Sequence, residues 1–498
     1  MIPVSPADPI AGHRRQALTL TAVLTALTCL LVYYSQSIAF TWDEGFHLLA
    51  AQLINSGKRP YIDFCFPQTP LNAWWMAFWM RLFGQSWRVG QGLAALATAG
   101  AAVLAAVYLY RRFPDARWRV AVAVVTAVVL SLNELAFRFG TVAQAYGICM
   151  FLTVAAFVAA VGAPERPGPW RPAAAGMLAG AAAGCSLLSA AAAPVLLVWM
   201  AACNRKGSRW AKCAAFVAGG VVPFLPLLYL FMQGPSQTWF NLFQYQAAFR
   251  HYNWGNTVGH DLVEMSAWLN STQALTLLLL AGAGLWFFRR PECSARLRAE
   301  LYLALWLALG LGIETAAAHP TFTRYFVLVV PFLAILAGLG FYEGVARFRG
   351  VESRPLVPVL LLCILMAMGA ARVIYNNGEV YRWKDLQKVA NKIRQVTPPG
   401  KPLWASEPLF FLLHQMPPEG MQFAYAQDLK LPPAQAAQLH IVRQADLEKQ
   451  LHAGAFASAT ICMDEDTVNR LELADLYHKS DEVEYCKIFW DWSGGAAK

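Results

Sequence analysis

Directly after a long apolar run the chain places Thr41-Trp42-Asp43-Glu44-Gly45, the residues whose types and spacing best suit chemistry. Acidic side chains so close to hydrocarbon are costly unless they are paired or used. Two adjacent carboxylates at a helix start or tight turn point in different directions. One can therefore face a substrate, where a carboxylate takes the proton from a hydroxyl, while its neighbour pairs with a cation or a backbone amide. A purely structural reading also fits these residues, with Asp43 capping a helix that begins near Glu44. Gly57-Lys58-Arg59-Pro60-Tyr61-Ile62-Asp63-Phe64 and Pro70-Leu71 follow in the same loop. Arg138, Arg250, His251, His319 and Arg324 fall at the ends of later apolar runs or in the loops between them. Guanidinium groups bind phosphate through paired hydrogen bonds, so these cations are candidates to hold one. Each has a plainer reading: Arg138 and Arg324 snorkel from helix ends, His319 is a satisfied interfacial histidine, and Lys58 and Arg59 face solvent or headgroups.

The elements that must position these residues belong to a membrane bundle. Apolar residues make up 57% of the 498 and charged ones 14%, with mean hydropathy +0.40, which leaves a soluble chain short of polar surface. Apolar runs of helix-spanning length alternate with short basic loops, unlike the weak alternation of a barrel. Eighteen Trp suit bilayer interfaces. A net charge of +10 could signal nucleic acid, but the Lys and Arg sit in the short loops, where topology explains them. No nucleic-acid partner is expected. The ten Cys form no Cys-x-x-Cys pair or zinc spacing, so no structural metal is expected.

Arg14 and Arg15 precede the apolar run 17–39, which reads as a retained signal anchor. Further helices are expected at 89–110, 119–137, 141–162, 173–187, 188–203, 213–232, 272–288, 301–318, 325–345 and 356–375, making eleven spans. The stretch from Pro70 to Gly84 would reach only about 22 Å as a helix and is read as interfacial. One helix over 173–203 would reach about 46 Å, more than a bilayer, so a hairpin of two short helices is expected. Gly176, Gly180 and Gly184 flatten one face of that hairpin for close helix packing. Lys and Arg number nineteen in the loops on the N-terminal side and seven on the other, which makes the N-terminus cytoplasmic and the C-terminal part external.

The chain therefore divides into 1–375, a transmembrane part with its first external loop at 40–88, and 376–498, an external α/β domain. In the latter, helices are expected at Val380 to Val396, from Pro408, at Gln444 to His452 and near Thr467 to Tyr477. Strands are expected at Pro402 to Ser406, Ala457 to Met463 and Glu482 to Trp490. Cys462 and Cys486 fall on two of these strands, where an oxidising compartment allows a disulfide.

The first external loop resembles that of the GT-C superfamily of integral-membrane glycosyltransferases, near the protein O-mannosyltransferases and the lipid A aminoarabinose transferases. The likeness starts at Asp43-Glu44 and runs through Gly57-x-x-Pro60-Tyr61-x-Asp63 and Pro70-Leu71. It continues in Arg324-Tyr325 ahead of the Pro331-containing span and includes the external domain, so it covers the architecture broadly and sequence motifs in patches. The resemblance implies an all-α polytopic membrane bundle of about eleven helices with a small C-terminal extracytoplasmic α/β domain, in a bacterial-type inner membrane. It also implies a polyprenyl-phosphate sugar donor amid membrane lipid, a glycan, lipid or protein acceptor, no cofactor, and Asp43 as the catalytic carboxylate. Two features depart from it. The Lys-Pro-Pro of the aminoarabinose transferases corresponds to Gln68-Thr69-Pro70, and the Lys that many relatives carry in the external turn is replaced by serines and alanines at 186–191.

Transfer from such a donor needs a base for the acceptor hydroxyl and cations for the departing phosphate. Asp43 suits the first role, with Glu44 orienting it or binding acceptor. Arg324 with His319 suits the second, and Arg138, Tyr61, Asp63, Lys58 and Arg59 are further substrate-binding candidates. The aromatic group from Trp239 to Trp254 stacks on substrate or belts the interface. A transporter or flippase of lipid-linked sugars is the rival reading. Transporters usually carry internal repeats, and none is found here.

Overall fold

The computed structural model describes residues 9–203, 206–253, 258–348, 354–378 and 381–493. All eleven apolar segments are helical over most of their length, and the chain is a multi-pass helical membrane protein with a small C-terminal α/β part. Among the described residues, five helices are long and apolar enough to cross a membrane: Arg14–Ser37, Trp87–Arg112, Arg209–Gln233, Ala295–Ala317 and Leu356–Asn376. Val258–Leu269 with Gln273–Arg289, bent by 74° at its break, would be a sixth. Others are shorter than expected for local reasons. The segment expected at 119–137 stops at Ser131, because the Asn133 side chain accepts the Leu135 N–H and starts a separate helix, Glu134–Phe139. The segment expected at 325–345 begins as a tighter turn, Thr323–Leu328, and the α-helix Val330–Val345 carries Pro331 in its first turn, where a missing N–H costs nothing.

The chain forms two compact units. One comprises Met1–Ser37, Gly92–Phe224 and Val258–Asn376. Its helices pack through small residues. Gly176 and Gly180 of Trp170–Cys185 face the carbonyls of Phe216 and Gly220 so closely that a Cβ at either would collide with them. Gly284 and Gly340 bring Thr272–Gly284 against Val330–Val345 in the same way. The hairpin expected at 173–203 is present, with its turn at Leu187–Ser189.

The other unit comprises Ile38–Gln91, Leu225–Thr257 and Asn377–Lys498. It contains the helices Glu44–Asn55 and Leu71–Phe83, the latter lying within the stretch expected to be interfacial. Ala73, Met76, Ala77 and Met80 are buried there, while Phe78, Leu82 and Phe83 are exposed, the apolar outer face an interfacial helix needs.

The C-terminal part of this unit holds β1 (Leu403–Trp404), β2 (Ser458–Cys462), β3 (Tyr477–Val483) and β4 (Cys486–Trp492), in the order β1-β2-β4-β3. β1 runs parallel to β2, and the other pairs are antiparallel. The helix expected from Val380 begins at Trp383 among the described residues; Val380 itself lies outside them. β3 is a correction to the sequence reading, which had a helix running to Tyr477 and a strand only from Glu482. Tyr477-His478-Lys479-Ser480-Asp481-Glu482-Val483 has no apolar alternation to announce a strand. It forms because a two-residue turn with Glu484 at φ 57° returns the chain onto the apolar β4, and its charges then pair outward, Lys479 with Asp491 and Lys392 with Asp481.

Cys462 and Cys486 sit directly opposite each other on β2 and β4 and are joined by a disulfide. Thiol labelling of the denatured, unreduced protein is expected to leave these two unmodified while marking the other cysteines, and reduction should expose both. Labelling of either before reduction would contradict the bond.

Candidate active site

The site starts from the turn that opens Glu44–Asn55. The Glu44 side chain reaches back to accept the Thr41 N–H at 2.8 Å, while the Glu44 N–H bonds the Thr41 carbonyl at 3.2 Å. The other carboxylate oxygen accepts from the Gln91 amide at 2.9 Å, and Gln91 also bonds the Ala39 carbonyl at 2.8 Å. Glu44 is fully buried by this arrangement. Its carboxylate satisfies a backbone group at a helix start as a capping box does.

Asp43 is the helix-cap residue by position, yet its side chain makes no capping hydrogen bond. The half-buried carboxylate instead accepts from the Tyr425 hydroxyl at 3.1 Å. The turn leaves Asp43 little choice of direction, because its neighbours on both sides are fixed. A Cβ at Gly45 would lie 2.8 Å from the Pro408 nitrogen and closer still to its Cδ, so only glycine allows the helix Glu407–Leu413 to approach here. Gln52 fastens the same approach by donating to the Gln415 carbonyl at 3.0 Å. Glu407, itself buried, accepts the Ala424 N–H at 2.6 Å and so holds the backbone next to Tyr425. Burial, the Asp43 charge adding to it, raises the Glu407 carboxyl above the usual range, against the pull of its backbone hydrogen bonds.

Rings surround this point. Phe46 meets Phe423 edge-on with centroids 5.0 Å apart, Tyr245 meets Phe423 at 5.6 Å, and Tyr425 lies 6.4 Å from both Phe46 and Phe249. Tyr245 and Phe249 come from a helix, Tyr245–Asn253, entered through a π-helical turn, Phe240–Gln244. Asn241 in that turn accepts the Phe66 N–H at 2.8 Å, which ties the segment to the first loop. His47, one turn after Asp43, is buried among Phe46 and Phe66, and its Nδ1 makes no hydrogen bond. Burial pushes the imidazole down to about 4, the nearby Asp43 charge opposing in part.

Asp43, Glu44, Lys58, Arg59, Tyr61 and Asp63 share this unit; Arg138, His319 and Arg324 belong to the other. Within the first loop, Arg59 grips Asp63 through Nε at 2.9 Å and Nη2 at 2.8 Å and also donates to Gln233 at 3.1 Å, so both are engaged in the loop's own shape. The Arg59 hydrogen bond holds the Asp63 carboxyl below its usual range despite partial burial. Tyr61, at φ 70° and fully buried, donates to the Gln68 carbonyl at 2.6 Å. Lys58 is exposed. In the other unit the His319 Nδ1 pairs with Asp261 at 2.6 Å, and the Arg324 guanidinium lies over the Phe322 ring at 4.4 Å. Arg138 is exposed and over the Phe139 ring at 5.1 Å. The Arg250 Nε is buried without a hydrogen-bond partner, and the side chain of His251 lies outside the described residues. Sequence reasoning missed Tyr425, Glu407, His47 and Gln91. The first two stand in the C-terminal part, more than 360 residues from Asp43, with no motif around them.

Two outcomes are expected from this packing. Gly45→Ala must force the two helices apart, costing about 1–3 kcal/mol as overpacking usually does, and limited proteolysis should show the C-terminal part loosened. Because the folded His47 pKa lies below its unfolded value, the unfolded chain binds more protons between about 6.5 and 4. Stability should therefore fall as pH drops through that window, by about 3 kcal/mol at its full extent. His47→Leu should flatten this part of the dependence when melts at pH 7 and 5 are compared.

No family model matches the sequence, and no curated protein does. Solved structures do share its course. ArnT from Cupriavidus metallidurans in the apo state superposes with a TM-score of 0.69 at 16% identity, over 95% of this chain and 98% of that one. The same protein bound to undecaprenyl phosphate gives 0.68 at 17%, over 94% and 97%. The archaeal oligosaccharyltransferase AglB from Archaeoglobus fulgidus, in complex with an inhibitory peptide and a dolichol-phosphate, gives 0.52 at 12%, over 91% and 71%. At such identities the likeness is one of fold, and the chain shares the fold of ArnT and of AglB.

Proposed function

We propose that the chain is a glycosyltransferase that moves a sugar from a polyprenyl-phosphate-linked donor to an acceptor hydroxyl at the extracytoplasmic membrane face, with Asp43 as base. The observation that carries this reading is that the half-buried Asp43 carboxylate, beside the fully buried Glu44 at the start of the first loop's helix, accepts a hydrogen bond from the Tyr425 phenol. The fold supports the same reading, since it is shared with an oligosaccharyltransferase and with a structure that holds undecaprenyl phosphate. The disulfide supports an oxidising compartment for the C-terminal part.

In the proposed reaction the acceptor oxygen attacks the anomeric carbon, the bond from that carbon to the phosphate oxygen breaks with its electron pair leaving on the phosphate, and the hydroxyl proton passes to Asp43. Inversion at the sugar follows from the single displacement. Glu44 is a positioning residue here, because its carboxylate is occupied by Thr41 and Gln91. Arg59, Asp63 and Tyr61 act through the loop they shape. For the leaving phosphate the proposal keeps Arg324, on a turn whose first residue, Thr323, is held by Glu264 through its N–H at 2.7 Å and its hydroxyl at 2.6 Å. Arg250 and Arg138 are the competing cations.

A deletion strain should lose one sugar from a surface product and accumulate its lipid-carrier form; accumulation of an untransported lipid-linked sugar inside the membrane would favour a flippase instead. Asp43→Asn, nearly isosteric, should restore protein level but lower transfer by about 10²- to 10⁴-fold. Wild-type turnover in that variant would end the mechanism. Arg324→Ala should raise the donor requirement and slow transfer together, and Arg324→Lys should recover part of both. Normal transfer by Arg324→Ala alongside loss in Arg250→Ala or Arg138→Ala would move the phosphate site.

A further inference from the structure

Three arginines from distant parts of the chain meet at one cavity. Arg15, Arg117 and Arg354, together with Gln16 and Thr19, line a space of about 410 Å³. All of it lies within the unit made of Met1–Ser37, Gly92–Phe224 and Val258–Asn376. Topology accounts for arginines beside apolar runs, but not for three separate segments bringing theirs to one space. Two membrane-length helices begin here, Arg14–Ser37 and Leu356–Asn376, and the shorter apolar helix Arg119–Ser131 begins beside them. The cavity therefore sits where these helices enter a bilayer, at the depth of lipid headgroups. Its remaining wall is apolar. Val120 and Ala121 are buried there, whereas Leu356 and Val357 are 41% and 52% exposed. Exposed Leu360, Leu361 and Ile364 follow on the same helix, so an apolar surface continues from the arginines toward the hydrocarbon.

The charges leave this space positive. Arg117 pairs with Asp115 at 3.4 Å, while Arg15 and Arg354 make no ion pair among the described residues. The Gln16 amide donates to the Ala116 carbonyl at 3.1 Å, and its own Oε1 is buried without a partner. An oxygen so placed needs a donor, and a headgroup hydroxyl is one.

We propose that this cavity binds an anionic glycerophospholipid, its phosphate held by Arg15, Arg117 and Arg354 and its acyl chains lying along Val120, Ala121, Leu356 and Val357. Guanidinium groups match phosphate oxygens in pairs, and basic pockets between membrane helices suit such headgroups. The starts of Arg119–Ser131 and Leu356–Asn376 add partial positive charge from their N–H groups. A soluble phosphate compound would have no use for the apolar wall. A zwitterionic lipid would bring an ammonium group into a space that is already positive. The bound lipid joins the first and the last of the membrane-length helices among the described residues, and the site is independent of the transferase reading.

The test uses the full-length protein, purified in detergent, stripped of lipid and titrated with phosphatidylglycerol, phosphatidylethanolamine or phosphatidylcholine. Binding is read by native mass spectrometry and by the melting temperature. Phosphatidylglycerol should bind about tenfold more tightly than either zwitterionic lipid and raise the melting temperature. Arg15→Ala, Arg117→Ala and Arg354→Ala should each weaken it about fivefold, the effect of one basic residue near an anionic lipid. Thr19→Trp fills the cavity while keeping every charge, and should abolish the preference even where an arginine variant fails to fold. Arg166→Ala, which removes an exposed arginine outside the cavity, should leave the preference unchanged. Equal affinity for the three lipids, the same loss in Arg166→Ala as in Arg354→Ala, or retained preference in Thr19→Trp would overturn the site. Displacement of the lipid by equimolar glycerophosphoglycerol would do so too, by showing that the acyl chains play no part.

Discussion

A carboxylate buried with no solvent exposure is tolerated because specific donors meet it, and Glu44 is met by the Thr41 N–H and the Gln91 amide. Much else in this unit follows from that lock. It fixes the turn between Ala39 and Gly45, and with it the direction of the Asp43 side chain. It also sets where Gly45 stands, and Gly45 lets Pro408 lie against the helix. Through Pro408 the buried Glu407 is set in place, and Glu407 in turn holds the loop of Tyr425. Lose the first pairing and the chain of contacts that ends on Asp43 loses its anchor.

The rest of the first loop works by a similar economy of polar groups. Arg59 and Asp63 form a two-pronged pair four residues apart, and Tyr61, in a left-handed conformation, turns its hydroxyl inward to Gln68. A non-glycine residue at positive φ is uncommon and persists when surrounding contacts over-determine it. Here those contacts are burial of the whole ring and the hydrogen bond at its tip. These residues look like substrate binders in a linear sequence, since charged and aromatic groups cluster there. In three dimensions their polar atoms are already engaged with partners of the same loop.

The other unit shows a comparable use of acidic residues. Asp261 and Glu264, one turn apart on the helix Val258–Leu269, receive the N–H groups of Thr321 and Thr323 and engage His319 and the Thr323 hydroxyl. The irregular segment between Ala317 and Thr323 thereby has the Thr321 and Thr323 N–H groups satisfied without regular structure. Arg324 projects from the end of that braced segment. No local signal in the sequence announces these pairings, because the partners lie 58 to 60 residues apart.

Local physics made a good part of this protein legible from sequence alone. Hydropathy over some twenty residues dictates a helix wherever water is excluded, so every apolar segment was identifiable, and Asp43-Glu44 stood out directly after the first of them. The strand placement of Cys462 and Cys486 was also readable. Which groups meet the two carboxylates could not be read, since Gln91 and Tyr425 lie 47 and 382 residues from them. Helix length escaped too, where Asn133 and Pro331 end or delay a helix within an apolar run. β3 escaped because a strand of charged residues owes its form to the neighbour it pairs with. The common reason is that local hydropathy is a property of neighbours in sequence. The partner of a buried polar group is chosen by packing among residues hundreds of positions apart, and only the tertiary structure supplies it.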